Sequence, residues 1–120
     1  MLAACHCRAT QFEVAERPGS VTTCTCSICA KRGMLWAYYQ PSAFKLLTAP
    51  ECSAIYQFGR FVVRHHHCAI CGCATYSENP AWTDGQADFA KITIGVNARL
   101  IEDFDVESVP TNSVNGRDDW

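Results

Sequence analysis

The sequence predicts a single, mainly β domain that metal ions hold together. Several short segments alternate apolar and polar residues, as half-buried strands do, and turns containing glycine separate them. Nine cysteines in 120 residues are far more than packing requires, so they indicate disulfides, metal ligands or redox centres. Because no linker or repeat divides a chain of this modest length, we expect one domain over residues 1–120.

The first predicted strand covers residues 10–14. Phe12 and Val14 fall on one face and the polar residues on the other, which is typical of a half-buried strand. Pro18-Gly19 then turns the chain toward residues 21–23 and the first of three clustered cysteines.

A short helix is predicted over residues 28–32, directly after that cluster. Ser27 suits the N-cap, and Gly33 suits the residue just past the helix end. Cys29 would then lie in the first turn, where the positive end of the helix dipole lowers the pKa of a thiol. We therefore expect Cys29 to ionise easily to a thiolate that can bind a metal ion.

The middle of the chain predicts a strand followed by a helical turn. Residues 34–39 are rich in aromatic side chains, which favours a strand. Residues 41–47 begin with proline and indicate one turn of helix that would place Phe44 and Leu47 in the core.

A β-hairpin is predicted next, with strands at 54–58 and 61–67 joined by a tight turn at Gly59-Arg60. It leads into Cys68, beyond which Gly72 allows the backbone to curl so that its amides point at metal-bound sulfurs. This is the sequence signal of a zinc knuckle.

The rest of the chain predicts two strands and little else. We expect a short strand at 73–77, a loop at 78–86 and a longer strand at 89–96. Residues 102–107 offer at most a helical turn, and residues 112–120 resemble a surface tail.

The composition of the chain limits the cellular compartments and the classes of binding partner that we expect. The start resembles a lipoprotein cleavage site ending at Cys5, but no basic segment and no apolar run precede it, so we reject export. A reducing, cytoplasmic setting keeps clustered cysteines as thiolates. No apolar stretch approaches a membrane span, and 10 basic against 12 acidic residues argue against nucleic acid as a partner.

Two cysteine pairs predict one structural zinc site. Cys5 and Cys7 form the first pair and Cys68 and Cys71 the second, and together they supply four thiolates for a tetrahedral ion. Such an ion would close a long loop at an entropic cost that rises only slowly with loop length.

Cys24, Cys26 and Cys29 form a second group with three thiolates and no obvious fourth ligand. A closed structural zinc site needs four protein ligands, whereas a catalytic one keeps a position open. Residues elsewhere could complete a second closed site: Cys52, Cys73, or one of His65, His66 and His67. On a strand, His65 and His67 would share one side and His66 would face the other.

An open position on three thiolates suits a particular chemistry. The extra negative charge makes the ion a poor Lewis acid, so the site is better matched to an incoming small thiol than to water. Lys31 and Arg32 either offset that charge or form a solvated helix end. Three aromatic residues either wall the site or belong to the core: Trp36, Tyr38 and Trp82.

The order and spacing of these motifs resemble a known family. The matching segments are Cys5-His6-Cys7, Phe12-Glu13-Val14, Cys24-Thr25-Cys26-Ser27-Ile28-Cys29-Ala30-Lys31-Arg32-Gly33, His66-His67-Cys68-Ala69-Ile70-Cys71-Gly72, Val96-Asn97-Ala98-Arg99 and Asn115-Gly116-Arg117. The chain is similar over its whole length to the glutathione-dependent formaldehyde-activating enzyme family, which also includes centromere protein V. The family usually has glycine where this chain has Arg8, and Cys73 adds a thiol beside the knuckle.

The resemblance implies a β-tent-type fold of coiled antiparallel sheets with one or two helical turns and two zinc ions per chain. It implies a structural zinc on Cys5, Cys7, Cys68 and Cys71, and a catalytic zinc, open to partial occupancy, on Cys24, Cys26 and Cys29. The implied reaction is carbon–sulfur lyase chemistry on glutathione and formaldehyde, with S-hydroxymethylglutathione as the adduct.

Two other functions stay open on the sequence. One is a non-enzymatic zinc module that binds a protein partner, as centromere protein V suggests for this scaffold. The other is a metal or redox sensor with Cys52 and Cys73 as the reactive pair. The sequence assigns no general acid or base.

Overall fold

Two β-sheets and two short helices make up the computed structural model, which describes residues 1–119. The mainly β class that the sequence predicts is confirmed. In the described part of the chain the strands are β1 Leu2–Ala4, β2 Gln11–Val14, β3 Val21–Cys24, β4 Trp36–Tyr39, β5 Phe44–Leu46, β6 Ser53–Tyr56, β7 Arg64–Cys68, β8 Ala74–Thr83, β9 Gln86–Asn97 and β10 Thr111–Val114. The helices are α1 Ser27–Arg32 and α2 Gly116–Asp119.

The smaller sheet has the strand order β1-β2-β5, and the larger has the order β10-β3-β4-β9-β8-β7-β6. Neighbouring strands are antiparallel in both sheets except for β10, which runs parallel to β3. The larger sheet therefore carries both cysteine-rich regions, at the ends of β3 and β7.

The hydrophobic core lies between the two sheets. Phe12 and Val14, which the alternation in β2 predicts to face inward, are fully buried. The ring of Phe44 lies 5.4 Å from that of Phe12 and 4.7 Å from that of Tyr76, measured between ring centres. Burying such aromatic side chains stabilises the domain by about 2 kcal/mol each, and it fixes one face of the larger sheet inward. The opposite face of the larger sheet is therefore available for a functional site.

The predicted helical turn at 41–47 is wrong beyond its first residues. Pro41–Ala43 form a 3-10 turn, but Phe44 to Leu46 then pair with β2 as a strand. Phe44 does reach the core, whereas Leu47 is 42% exposed. Pairing with an existing strand satisfies the backbone of this segment better than a short isolated helix would.

The predicted loop at 78–86 is also wrong. β8 continues through it to Thr83, and Asp84-Gly85 form a two-residue turn into β9 with positive φ at both positions. Pro80 is tolerated because the register shifts between it and Ala81, where the ladder is already interrupted.

The predicted surface tail at 112–120 contains a strand and a helix instead. β10 pairs with β3 in register from Thr111 opposite Val21 to Val114 opposite Cys24, and α2 follows it. Trp120 lies outside the described residues. The predicted hairpin of β6 and β7 is confirmed, with a longer connection than expected. Neither helix in residues 1–119 has the length and apolar character needed to cross a membrane.

Candidate metal centres

The first cysteine cluster joins the two sheets. Cys5 and Cys7 follow β1, Cys68 ends β7 and Cys71 lies in the turn before β8. Their four sulfur atoms all lie within 4.8 Å of one another. The Cys5 and Cys7 sulfurs are 3.7 Å apart, and the Cys7 and Cys68 sulfurs 3.6 Å apart. The two predicted pairs therefore do converge.

This geometry fits a metal ion. Zinc–sulfur bonds of about 2.3 Å place two thiolates of one tetrahedron about 3.8 Å apart, which is close to the observed separations. Backbone amides support the charge: Thr10 N–H donates to the Cys5 sulfur over 3.3 Å, and Ile70 N–H donates to the Cys68 sulfur over 3.4 Å. The backbone N–H groups of Cys73 and Cys7 lower the pKa of Cys71 to about 5.

The second cluster is formed by three cysteines that lie close together in the sequence. Cys24 ends β3, Cys26 precedes α1 and Cys29 lies in the first turn of α1, and their sulfurs lie within 4.8 Å of one another. The helix begins one residue earlier than predicted, so its N-cap is Cys26 and not Ser27. Gly33 ends the helix with φ of 64°, as predicted.

The protonation of the second cluster differs from the expectation. Burial raises the pKa of Cys29 to about 12 and outweighs its place in the first helical turn. Burial also opposes ionisation of Cys26, but the nearby N–H groups of Cys29 and Ile28 prevail and lower its pKa. Cys26 therefore ionises more readily than an ordinary thiol, although its sulfur makes no side-chain capping hydrogen bond.

No fourth protein ligand joins this cluster among the described side chains, which end at Asp118. Cys52 and Cys73 lie beside the first cluster, on opposite sides of the end of β7, where their carbonyls accept from Ala69 N–H and Cys68 N–H. Two strand spacings, about 10 Å, separate them. A disulfide requires Cα atoms within about 7 Å, so the two do not form a reactive pair as placed.

The three histidines have other neighbours. His66 Nε2 lies 2.7 Å from a Glu78 oxygen, and its ring stacks on that of Tyr76 at 4.1 Å. His65 is buried beside the Phe58 ring, and burial followed by the charge of Arg32 lowers its pKa to about 4. His67 Nδ1 is buried with no hydrogen-bond partner among the described residues.

Aromatic side chains from β4 adjoin the three thiols. The Trp36 indole N–H donates to the Cys29 sulfur over 3.2 Å, a contact that spacing alone does not reveal. Tyr38 lies two residues on, on the same face, and burial followed by the charges of the three cysteines raises its pKa to about 12. Gly95 makes room for both rings, because a Cβ there would lie 3.1 Å from Trp36 and 3.2 Å from Tyr38.

Trp82 does not belong to this wall. It is 57% exposed and pairs with Ala87 near the tip of the β8–β9 hairpin, whereas Trp36 pairs with Asn97 at the far end of β9. Ten residues of strand separate these positions by about 30 Å. Of the three predicted aromatic residues, Trp36 and Tyr38 lie at the site.

The site is open and shallow. Cys24 and Cys26 are partly exposed and Cys29 is buried, so the cluster faces solvent on one side. Concavities of about 190 Å³ beside Pro18 and Tyr38, and about 260 Å³ beside Phe61 and Phe89, contain no cysteine. A soft metal ion needs ligands and not an enclosed cavity, so the thiol geometry defines the site.

The fold and the two clusters define a small β domain with two sites that could hold metal ions. The chain belongs to the glutathione-dependent formaldehyde-activating enzyme family, whose profile matches residues 1–109. Its structure is similar to the crystal structure of a Rhodobacter sphaeroides protein, with a TM-score of 0.75 and 27% identity over 93% of this chain and 100% of the other. No curated protein matches the sequence.

Proposed function

We propose that this protein is a carbon–sulfur lyase that joins a small thiol to an aldehyde. The observation that carries the proposal is the cluster of Cys24, Cys26 and Cys29, with three sulfurs, no fourth protein ligand in the described chain and one side open to solvent. Membership of the family makes glutathione and formaldehyde the leading substrates and S-hydroxymethylglutathione the leading product.

The donor sets of both clusters favour zinc, the commonest ion held by several thiolates. A structural ion with no vacant coordination position would be held by Cys5, Cys7, Cys68 and Cys71. In the second cluster, zinc would supply an exchangeable position that favours the deprotonated form of an incoming thiol.

Residues of β4 orient and shield the reacting groups. The N–H of Trp36 fixes the position of the Cys29 sulfur. A tyrosine hydroxyl is protonated at neutral pH, so that of Tyr38, which is half exposed beside the cluster, can donate a hydrogen bond to the aldehyde oxygen. As the thiol sulfur bonds to the carbonyl carbon, the carbonyl π electrons move to that oxygen, which takes up the proton that the thiol lost. Holding both reactants makes this addition effectively intramolecular.

The reaction is tested by following exchange between formaldehyde, glutathione and their adduct by two-dimensional NMR, with and without the protein. We expect the zinc-loaded protein to accelerate exchange, and Cys26→Ser to abolish the acceleration while zinc per chain falls from two to one. Cys73→Ser is the matched control, because Cys73 lies outside the three-thiol cluster. An exchange rate equal to that of the buffer would overturn the formaldehyde assignment.

A further inference from the structure

A row of cross-strand partners crosses one face of the larger sheet. The register pairs Tyr56 with His65, His65 with Ser77, Ser77 with Gly95, and Gly95 with Tyr38. Directly paired residues share a face of a sheet, so Tyr56 and Tyr38 mark the two ends of one surface. The Tyr38 end adjoins the three-thiol cluster, and the Tyr56 end needs a separate explanation.

Helix α1 carries one residue near each end of this row. Cys29 lies at the Trp36 end, and Arg32 follows it by about one helical turn. The guanidinium carbon of Arg32 lies 5.9 Å from the centre of the Tyr56 ring. The same helix therefore supplies a sulfur at one end and a cation at the other.

Tyr56 and Phe58 form an exposed aromatic ledge under that cation. Their ring centres lie 5.9 Å apart, and Phe58 lies 5.9 Å from the His65 ring. The two side chains are 47% and 43% exposed. An arginine held over an aromatic face keeps its N–H donors free in the plane of the guanidinium.

Arg32 has no anionic partner among the side chains that the structure describes, which end at Asp118. The ion pairs of the described chain join Arg8 to Glu102, Arg64 to Glu78 and His66 to Glu78. The charge of Arg32 is nevertheless felt by its neighbours, since it helps to lower the pKa of His65. A cation about one helical turn along α1 from the cluster, with no partner among the described side chains, suits an anionic ligand.

We propose that Arg32, placed over the Tyr56–Phe58 ledge, binds a carboxylate of the thiol substrate and so selects acidic peptide thiols over neutral ones. The inference rests on the proposed function, because it takes the three-thiol cluster as the place of the sulfur. The thiol of a tripeptide such as glutathione is on its middle residue, so a terminal carboxylate lies about 7 Å away along an extended chain. Cys29 and Arg32 are about one helical turn, or about 5 Å, apart along α1, and the Arg32 side chain adds its own length. The ledge would cover the peptide stem.

The test measures binding of S-methylglutathione, which keeps both carboxylates but has no free thiol, by isothermal titration to the zinc-loaded protein. We expect Arg32→Gln to weaken binding about tenfold, as for loss of one charge-assisted hydrogen-bond pair. Lys31→Gln, on the same helix turn but without the Tyr56 contact, should change it less than about twofold. The dimethyl ester of S-methylglutathione should bind the wild type as weakly as the free acid binds Arg32→Gln.

Equal affinity of the wild type and Arg32→Gln would overturn the inference, as would absence of binding by the wild type at millimolar ligand. Lys31→Gln matching Arg32→Gln would overturn it too, since the selection would then be by net charge. Because S-methylglutathione cannot react, binding without any exchange activity removes the proposed reaction and keeps the carboxylate subsite. Exchange activity without Arg32-dependent binding removes the carboxylate subsite and keeps the proposed reaction.

Discussion

Arg8 has a left-handed backbone conformation, with φ of 67°, directly after Cys7. The turn is closed by Arg8 N–H donating to the Cys5 carbonyl over 3.1 Å, so it helps to bring the first two sulfurs together. Left-handed φ costs a residue with a side chain about 1 kcal/mol relative to glycine. The ion pair of Arg8 with Glu102 is exposed and offsets little of this. The turn at the first cluster is therefore strained.

Replacing Arg8 separates the strain from the ion pair. Arg8→Gly and Arg8→Ala both remove the ion pair, but only glycine removes the strain, so we expect the glycine variant to be more stable by about 1 kcal/mol. Urea denaturation with excess zinc measures this difference. Equal stability of the two variants would show that the turn adapts to a side chain.

The role and the ionisation of a single residue are not equally predictable from the sequence. The seven ligand candidates follow from spacing, because thiols two or three residues apart can reach one ion. The raised pKa of Cys29 does not, since it depends on burial in the folded domain, which outweighs the lowering effect of the Trp36 N–H from the next strand. The helix dipole at Cys29 follows from local sequence, whereas burial, which has the larger effect on its pKa, depends on the tertiary fold.

Among the elements, those with a strong local pattern are predicted well. The strand around Phe12 and the helix ending at Gly33 are close to the observed bounds. The β8–β9 hairpin is missed because Pro80 disguises a strand, although Asp84-Gly85 is a hairpin dipeptide that could have indicated it. β10 has no apolar alternation and forms only through its parallel pairing with β3, a partner distant in sequence.

The pairing of β10 with β3 has a consequence for the second cluster. Thr25, which separates Cys24 from Cys26, donates its N–H to the Val114 carbonyl over 3.1 Å. Its hydroxyl donates to Asn115 Oδ1 over 2.9 Å and accepts from Arg117 N–H over 3.3 Å. The C-terminal elements thus hold the backbone between two ligand candidates.

Removing the Thr25 hydroxyl should loosen the second cluster alone. Thr25→Val keeps the shape but loses both hydroxyl contacts, so we expect its zinc affinity at the second site to fall about tenfold, as for supporting residues of other metal sites. Competition with a chromophoric chelator measures this. Thr23→Val is the control, because the Thr23 hydroxyl makes only 3.4 Å contacts and does not separate ligands. Equal affinity of both variants with the wild type would exclude this support.

Across the whole molecule the two clusters have different mechanical roles. The first links Cys7 to Cys68, 61 residues away, and so ties the smaller sheet to the larger. Closing a loop of that length removes entropy from the unfolded chain worth about 4 kcal/mol, whereas a clip across residues 24–29 is worth only about 2 kcal/mol. The first cluster should therefore govern folding and the second should govern function.

Paired serine substitutions test this division. Cys68→Ser removes a fully buried thiol from the long-range clip, so we expect loss of cooperative unfolding or a fall in stability of about 3 kcal/mol or more. Cys26→Ser, in the partly exposed local cluster, should keep the circular dichroism spectrum and lose at most about 2 kcal/mol. Thermal and urea unfolding, with zinc counted per chain, compare the two directly. Greater destabilisation by Cys26→Ser than by Cys68→Ser would contradict the assignment, because it would make the three-thiol cluster the main restraint on the fold.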